Sequence, residues 1–283
     1  MRSNEIVVGV DGSARSRVAL RFAAAEADRH DAALRVVAAY EIDARAERFG
    51  PVRSLVRERY VGIVDEALRE VANMVPEVVA SGAALEGVPG RVLVDAADGA
   101  RLLVVGNRGL GGFAGLLLGS VGGYVATHAR VPVIVVRGGS DTAGGAVVAG
   151  LDLSTRDSAV LEAAFAEAGV RGTGLVAVHA YPMPVTAWSA AFAAVPFDPA
   201  EVREAAVEEV ETALAPWREK YPRVPVEVVV GGGSAARLLV DRSHGAGLVV
   251  VGSRGHGVTA GTLLGSVGLQ LLHHADSPVL IAH

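Results

Sequence analysis

The sequence predicts an α/β fold of two tandem doubly wound domains, residues 1–138 and 145–283, each with a five-stranded, mostly parallel sheet and helices on both faces. Two observations support this expectation. In both halves, short runs of β-branched and aliphatic residues alternate with helical patterns. A glycine signature that begins at Gly106 recurs 146 residues later in the same context. A chain of 283 residues accommodates two domains of this size, each able to bury its own core.

The first half alternates five strand-like runs with helical patterns. Its first run is continuously apolar, which is typical of a strand buried on both faces. Apolar residues then recur at helical spacing before each further run. The expected strands are residues 6–10, 34–39, a weaker one beginning at 78–79, 102–105 and 133–136. The expected helices follow residue 13, span about 51–75 and 91–97, and lie within 116–128.

The second half repeats this order. Strand-like runs lie at residues 146–152, 175–180, 248–251 and 278–281. The offset between the halves is 141 residues at the first strand and 146 from the glycine signature onward, so the second half has an insertion, which we place in the segment 182–199. A flexible linker rich in glycine, residues 138–145, joins the halves.

Composition excludes several classes of function. The chain has no cysteine, which rules out disulfides, thiolate metal sites and cysteine nucleophiles. With 26 basic and 31 acidic residues, the net charge of −5 argues against nucleic acid as a partner. We find no signal-peptide pattern and no uninterrupted apolar run of membrane-spanning length, so we expect a cytoplasmic protein without a membrane partner.

The glycine signature is the strongest functional signal. It follows a strand and precedes a helix, the arrangement in which backbone N–H groups and a helix N-terminus hold phosphate. Glycine lets the backbone approach an anion without an intervening Cβ. The alternative is purely structural: the glycines turn the chain, and the serines cap helices. The two copies are Gly106, Gly109, Gly119 and Ser120, and Gly252, Gly255, Gly265 and Ser266.

Two further residue types support a ligand at the same edge. Asp11 and Asp152 end the first strand of each half, where open α/β sheets bind ligands. Their alternative role is to cap the next helix. Arg108 and Arg254 stand inside the glycine signatures and could pair with phosphate oxygens, whereas the alternative is a solvated loop arginine.

These residues resemble the universal stress protein family in its tandem, ATP-binding form. The carrying motif is G-x2-G-x9-G-(S/T), which both halves contain in full. Asp11 and Asp152 also fit the family pattern, as do Gly87 and Gly233. The resemblance covers nearly the whole chain and implies a Rossmann-like domain of the adenine nucleotide α hydrolase kind.

The resemblance assigns a role to each matching position. Asp11 and Asp152 would lie near adenine and ribose, Gly9 and Gly150 would let the nucleotide approach the strand, and Ala39 and Ala180 would face the adenine. Mg²⁺ would arrive with ATP, held mostly by the phosphates. The residues expected around the phosphates are Gly106, Arg108, Gly109, Gly119, Ser120 and Val121 in the first half, and Gly252, Arg254, Gly255, Gly265, Ser266 and Val267 in the second.

The function implied is regulatory: ATP occupancy would alter conformation or the choice of a protein partner under stress. Slow ATP hydrolysis at most is expected, because no P-loop lysine is present. The resemblance also implies that the fifth strands pair across a pseudo-dimer, which would protect both edges, and that two chains could associate further.

Three other functions fit the residues less well. A nucleotide-hydrolysing or nucleotidyl-transferring enzyme on a related fold would carry an SGGxDS-type loop, which residues 11–16 lack. A dinucleotide- or flavin-binding domain would carry G-x-G-x-x-G after its first strand, which is also missing. An interaction module without nucleotide would not need the intact motifs.

Overall fold

The computed structural model describes residues 3–42, 50–110, 118–137, 144–154, 157–181, 198–254 and 264–283. Within these ranges, strands and helices alternate as expected. The strands are β1 Glu5–Gly9, β2 Ala33–Tyr40, β3 Ala80–Glu86, β4 Leu102–Gly106, β5 Val133–Val136, β6 Val147–Leu151, β7 Leu175–Tyr181, β8 Val226–Gly232, β9 Leu248–Gly252 and β10 Val279–Ala282. The helices are α1 Ala14–Arg29, α2 Gly50–Met74, α3 Pro89–Ala96, α4 Ser120–His128, α5 Asp157–Arg171, α6 Pro199–Lys220, α7 Ala235–Ser243 and α8 Ser266–His274.

All ten of these strands form one sheet. Its order is β3-β2-β1-β4-β5-β10-β9-β6-β7-β8. Within each half every pairing is parallel, and the halves meet where β5 and β10 pair antiparallel, with Ile134 opposite Leu280. The α/β fold class is confirmed, and the fifth strands pair as the sequence predicted.

The sheet is covered on both faces, which explains the continuous apolar runs of its central strands. Ile6 and Val8 point into a core that includes buried residues of α1 and α5, and Val7 points into a second core with residues of α3 and α4. All three side chains are fully buried. A strand with both faces buried shows no polar alternation, because no side of it meets water.

Two details of the elements differ from the sequence predictions. The third strand begins at Ala80 instead of Val78–Val79, and Val79 is largely exposed. The helices after the glycine signatures begin at Ser120 and Ser266, with Gly119 and Gly265 at the N-cap and no side-chain cap. The interpretation of the two serines as N-caps is therefore wrong.

A buried charged cluster joins α1 to α5. Glu26 and Glu167 occupy equivalent positions of the two halves, as do His30 and Arg171. Arg171 donates to Oε1 of Glu26 at 2.6 Å, and Nε2 of His30 lies 3.0 Å from Oε1 of Glu167. The side chains of Glu26 and Arg171 are 0% and 2% exposed. Each half thus contributes one carboxylate and one basic side chain to contacts with the other half.

Burial and its neighbours perturb this cluster unequally. Burial, together with the charge of Glu167, raises the pKa of Glu26 to about 7. Burial would also raise the pKa of Glu167, but hydrogen bonds with His30 and Arg171 hold it below its ordinary value. The cluster therefore carries one carboxylate, Glu167, that stays ionised and one, Glu26, that titrates near neutral pH.

Arg137, directly after β5, ties the first half to the second. It donates from Nε to the carbonyl of Ala275 at 2.8 Å and from its guanidinium to the carbonyl of Leu272. Both carbonyls belong to the C-terminal end of α8, where a cation is favourable. In the described part of the chain, no helix combines the length and the apolar character needed to cross a membrane.

Candidate functional site

A cavity of about 470 Å³ opens at the carboxyl ends of the parallel strands in the first half. It lies between β1 and β4, where the chain reverses its direction of progress along the sheet. Open α/β sheets bind ligands at this point because two neighbouring loops diverge there. The described residues that line it are Gly9, Val10, Asp11, Ser16, Val37, Ala39, Tyr60, Pro89, Leu93, Val105, Gly106, Arg108, Gly109, Leu110, Gly119, Ser120, Val121 and Gly122.

The cavity has two chemically different walls. Val37, Ala39 and Tyr60 form an apolar wall beside β2, whereas Gly106, Arg108 and the start of α4 form a polar wall beyond β4. Because β1 lies between β2 and β4, the walls are separated by two inter-strand spacings, about 10 Å. A ligand with an apolar end and an anionic end would match both walls.

The glycines of the polar wall lie where loops press together. A Cβ on Gly106 would meet the carbonyl oxygen of Arg15 at 3.0 Å, and a Cβ on Gly109 would collide with Oδ2 of Asp11. The amide of Gly119 donates to the carbonyl of Asn107 at 2.8 Å and brings both ends of the signature together. Glycine is needed here for close approach of the backbone.

The N-terminus of α4 opens toward the cavity. Its N-cap, Gly119, has no side chain to satisfy the first amides of the helix. The N–H groups of Ser120, Val121 and Gly122 precede the first intrahelical donor, and all three residues line the cavity. Open amides and the positive end of the helix dipole are the two features that favour an anion at a helix N-terminus.

Arginines add positive charge to the polar wall. Among the described residues, Nε of Arg108 is buried and has no hydrogen-bond partner. Arg15 donates to Oδ1 of the buried Asn107 at 3.0 Å, which holds a second guanidinium beside the loop. Burial, with the charges of Arg15 and Arg108, lowers the pKa of Arg137, although Asp276 opposes the shift. Mutually repelling cations of this kind are stabilised by an anion between them.

Asp11 links the loop after β1 to the glycine signature. Its Oδ1 accepts from the amide of Ser13 at 2.9 Å, and its Oδ2 accepts from the amide of Leu110 at 2.7 Å. Burial alone would raise the pKa of Asp11, but the hydrogen bonds from Ser13 and Leu110 hold it below its ordinary value. Asp11 is therefore ionised at neutral pH and is largely occupied in shaping the site.

Nine of the ten residues predicted for the first half line this cavity. The exception is Gly87, which directly follows β3 with φ of 142° and whose amide donates to the carbonyl of Tyr40. Gly9 also has a packing role that the sequence did not predict. A Cβ there would meet Cδ1 of Leu93 at 2.8 Å, so Gly9 makes room for α3 as well as exposing the strand to the cavity.

The second half places its predicted residues at equivalent points. A Cβ on Gly150 would meet Cδ1 of Leu239 at 2.7 Å, as Gly9 meets Leu93. The amide of Gly265 donates to the carbonyl of Ser253 at 2.8 Å, as Gly119 does to Asn107. Asp152 follows β6, Ala180 lies on β7, and Gly233 follows β8; Gly252 ends β9, Arg254 follows it, and Ser266 and Val267 begin α8. Gly255 lies outside the described residues.

Comparison with known proteins agrees with this geometry. The sequence model of the Universal stress protein family matches residues 3–137 and again residues 145–283. The chain belongs to the universal stress protein family. A universal stress protein of Mycobacterium tuberculosis is 35% identical over 291 residues, which cover 98% of this chain and 95% of that protein.

Solved structures of the family align with the chain in two ways. A universal stress protein from Archaeoglobus fulgidus, 18% identical, aligns over 100% of this chain and 99% of its own, with a TM-score of 0.66, and so shares the tandem fold. A universal stress protein solved in complex with cAMP is 32% identical, and the alignment covers 47% of this chain and 96% of that one, with a TM-score of 0.38.

Sequence reasoning missed several cavity residues of this universal stress protein. Ser16, Tyr60 and Leu93 lie on helices outside the glycine signature, and no motif marks them. Tyr60 packs on Tyr40 with 5.1 Å between ring centroids. An aromatic residue on the inner face of α2 was the available signal, but it is equally typical of an ordinary core position.

Proposed function

We propose that this universal stress protein binds ATP in each half and acts in the cytoplasm as a nucleotide-dependent regulator. The observation that supports this most directly is the two-walled cavity of the first half. Its apolar wall suits a purine, and its polar wall, about 10 Å away, suits phosphates. Nucleotide occupancy would then alter the surface offered to a protein partner or to a second copy of the chain.

The residues present fit an adenine nucleotide. Val37, Ala39 and Tyr60 would pack on the base, while the amides of α4 and the guanidinium of Arg108 would hold phosphate oxygens. The buried Nε of Arg108 has no partner among the described residues, and a phosphate is the kind of acceptor that would stabilise it. Bound Mg²⁺ would neutralise phosphate charge and be held mainly by the nucleotide.

Hydrolysis would be slow at most. Among the described residues that line the cavity, Asp11 is the only carboxylate. Both of its oxygens already accept backbone amides, and its pKa is held low. A general base needs a pKa near the operating pH, and the lowered pKa of Asp11 makes it a weak base. The site holds a nucleotide better than it activates a water.

The first experiment is direct. We would purify the protein, denature it, and identify and count any released nucleotide by chromatography, then titrate the stripped protein with ATP. Two ATP per chain would support the proposal. A chain that stays empty at millimolar ATP would overturn it.

Matched variants assign the binding to each half. Ser120→Glu and Ser266→Glu place a carboxylate at the first residue of α4 or α8, where a negative charge stabilises the helix but competes with phosphate. Each variant should fold and lose one ATP of two. Full stoichiometry in both variants would mean that these helix ends do not hold phosphate.

A further inference from the structure

The two halves differ five residues after the aspartate that follows the first strand of each half. In the first half, the hydroxyl of Ser16 accepts from the amide of Asp11 at 3.3 Å, and Ser16 lines the cavity. The equivalent residue of the second half is Asp157. Its Oδ1 accepts from the amide of Asp152 at 3.4 Å, and its Oδ2 accepts from the amide of Leu153 at 2.7 Å. A neutral group is thus replaced by an acid.

The backbone conformation of Leu153 gives a structural reason for an aspartate at position 157. Leu153 adopts φ of 57°, a left-handed conformation that its counterpart Gly12 adopts without penalty at φ of 83°. For a residue with a Cβ this conformation costs about 1–2 kcal/mol. The short hydrogen bond from Leu153 to Asp157 offsets that cost. Asp157 is consequently fixed in place, and only 7% of it is exposed.

The carboxyls of Asp157 and Asp152 also interact with each other. Two neighbouring carboxylates repel, which favours a proton on one of the two. Burial first, and the neighbouring Asp152 second, raise the pKa of Asp157 to about 7. In the first half, Asp11 is the counterpart of Asp152 and contacts the neutral Ser16 instead, and its pKa is lowered.

The described residues that line the groove beside the pair add further negative charge. Asp157 lines a groove with Glu208 and Glu209 of α6, both exposed and acidic. From β7, Nδ1 of His179 lies 3.0 Å from the carbonyl of Leu151, the last residue of β6. Loss of the shared proton therefore adds a second full negative charge at the edge of the sheet where an anionic nucleotide would bind.

We propose that nucleotide binding in the second half is coupled to proton uptake by the Asp152–Asp157 pair, and that the first half lacks this coupling. The inference rests on the proposed function. By linkage, a ligand that prefers the protonated pair binds more tightly as pH falls through the titration of that pair. The two halves would then report nucleotide level differently at different pH.

The test uses single-site proteins. Ser120→Glu leaves the second half, and Ser266→Glu leaves the first, so each reports one site with the same ligand and the same ionisation of ATP. We would measure the Kd of ATP by calorimetry at pH 6 and pH 8, in two buffers of different ionisation enthalpy to count protons. From pH 6 to pH 8, the second half should lose about three- to tenfold more affinity than the first. Only in the second half should ATP binding be accompanied by proton uptake at the Asp152–Asp157 pair.

Reciprocal substitutions separate titration from structure. Asp157→Asn keeps an acceptor for the amide of Leu153 but cannot titrate, so it should remove the excess pH dependence while the protein stays folded. Ser16→Asp should introduce the dependence into the first half. Equal pH dependence of the two halves, or an unchanged slope in Asp157→Asn, would overturn the coupling alone. Failure of every protein to bind ATP at either pH would overturn the proposed function and the coupling with it.

Discussion

Replacing Arg171 by methionine tests the buried cluster between α1 and α5. Methionine keeps much of the volume but leaves the carboxylate of Glu26, which is fully buried, without its 2.6 Å partner across the halves. Arg29 would remain as a contact to Glu26, and His30 to Glu167. Removing one partner of a buried ion pair costs about 3–5 kcal/mol, because the remaining charge loses a counter-ion where water cannot replace it.

The loss should depend on pH, with a definite sign. The pKa of Glu26 is about 7 in the folded wild-type protein, and losing Arg171 raises it further. At pH 6 Glu26 is mostly protonated in both proteins, so the loss there comes mainly from Glu167, which loses Arg171 but retains His30. Between pH 7 and pH 8.5 only the wild type ionises, and the deficit grows by about 1.4 kcal/mol per pH unit. We expect the destabilisation to be about 2 kcal/mol larger at pH 8.5 than at pH 6.

The assay is urea unfolding followed by circular dichroism at both pH values. Arg218→Met is the matched control, since Arg218 pairs with Glu211 on the surface, where the side chains are 39% and 47% exposed. Exposed pairs contribute about 0–1 kcal/mol. Adding Glu26→Gln to Arg171→Met should recover part of the loss at pH 8.5. If Arg171→Met costs no more than Arg218→Met and its cost is the same at both pH values, the reasoning is refuted.

Three further outcomes are expected. Glu26→Gln should flatten the dependence of stability on pH. Between about pH 4.5 and 7 the folded wild-type protein keeps a proton on Glu26 that the unfolded chain loses, so its stability falls by about 3 kcal/mol as pH rises through that window. An unchanged pH dependence in the variant would contradict the raised pKa of Glu26. Gly109→Glu should remove about one ATP per chain in calorimetry, because its side chain must displace Asp11; two ATP would show that the loop is structural. Arg137→Ala should cost about 2 kcal/mol in urea unfolding through lost bonds to the end of α8, and an unchanged midpoint would rule those bonds out as a source of stability.

Much of the fold could be predicted because its signals are local or repeated. Central strands such as β1 are continuously apolar, and the constant offset aligns β5 with β10. The weakly apolar β3 lies at the edge of the sheet with half-exposed residues, so its start was misplaced. Strand boundaries are weakly encoded where solvent covers one side.

The site was predictable where backbone geometry demands glycine and less so elsewhere. Gly106 and Gly119 are marked by spacing, whereas Tyr60 reaches the cavity only through the packing of α2 on the sheet. The alternative role of Ser120 as an N-cap is wrong, because the N-cap is Gly119, one residue earlier. The buried cluster between α1 and α5 did have a signal in the sequence. Glu26 and His30 interrupt the apolar stripe of α1 at helical spacing, which indicates charged groups on a buried face.

The antiparallel join of β5 and β10 gives the molecule a local twofold axis between two copies held in one chain. In an assembly of identical chains, every substitution would appear on both sides of such an axis. Covalent linkage removes that restriction, so His30 can face Glu167 while Arg171 faces Glu26, and Ser16 can diverge to Asp157. The shared sheet preserves the symmetry of the scaffold, while each pocket is free to evolve a response of its own.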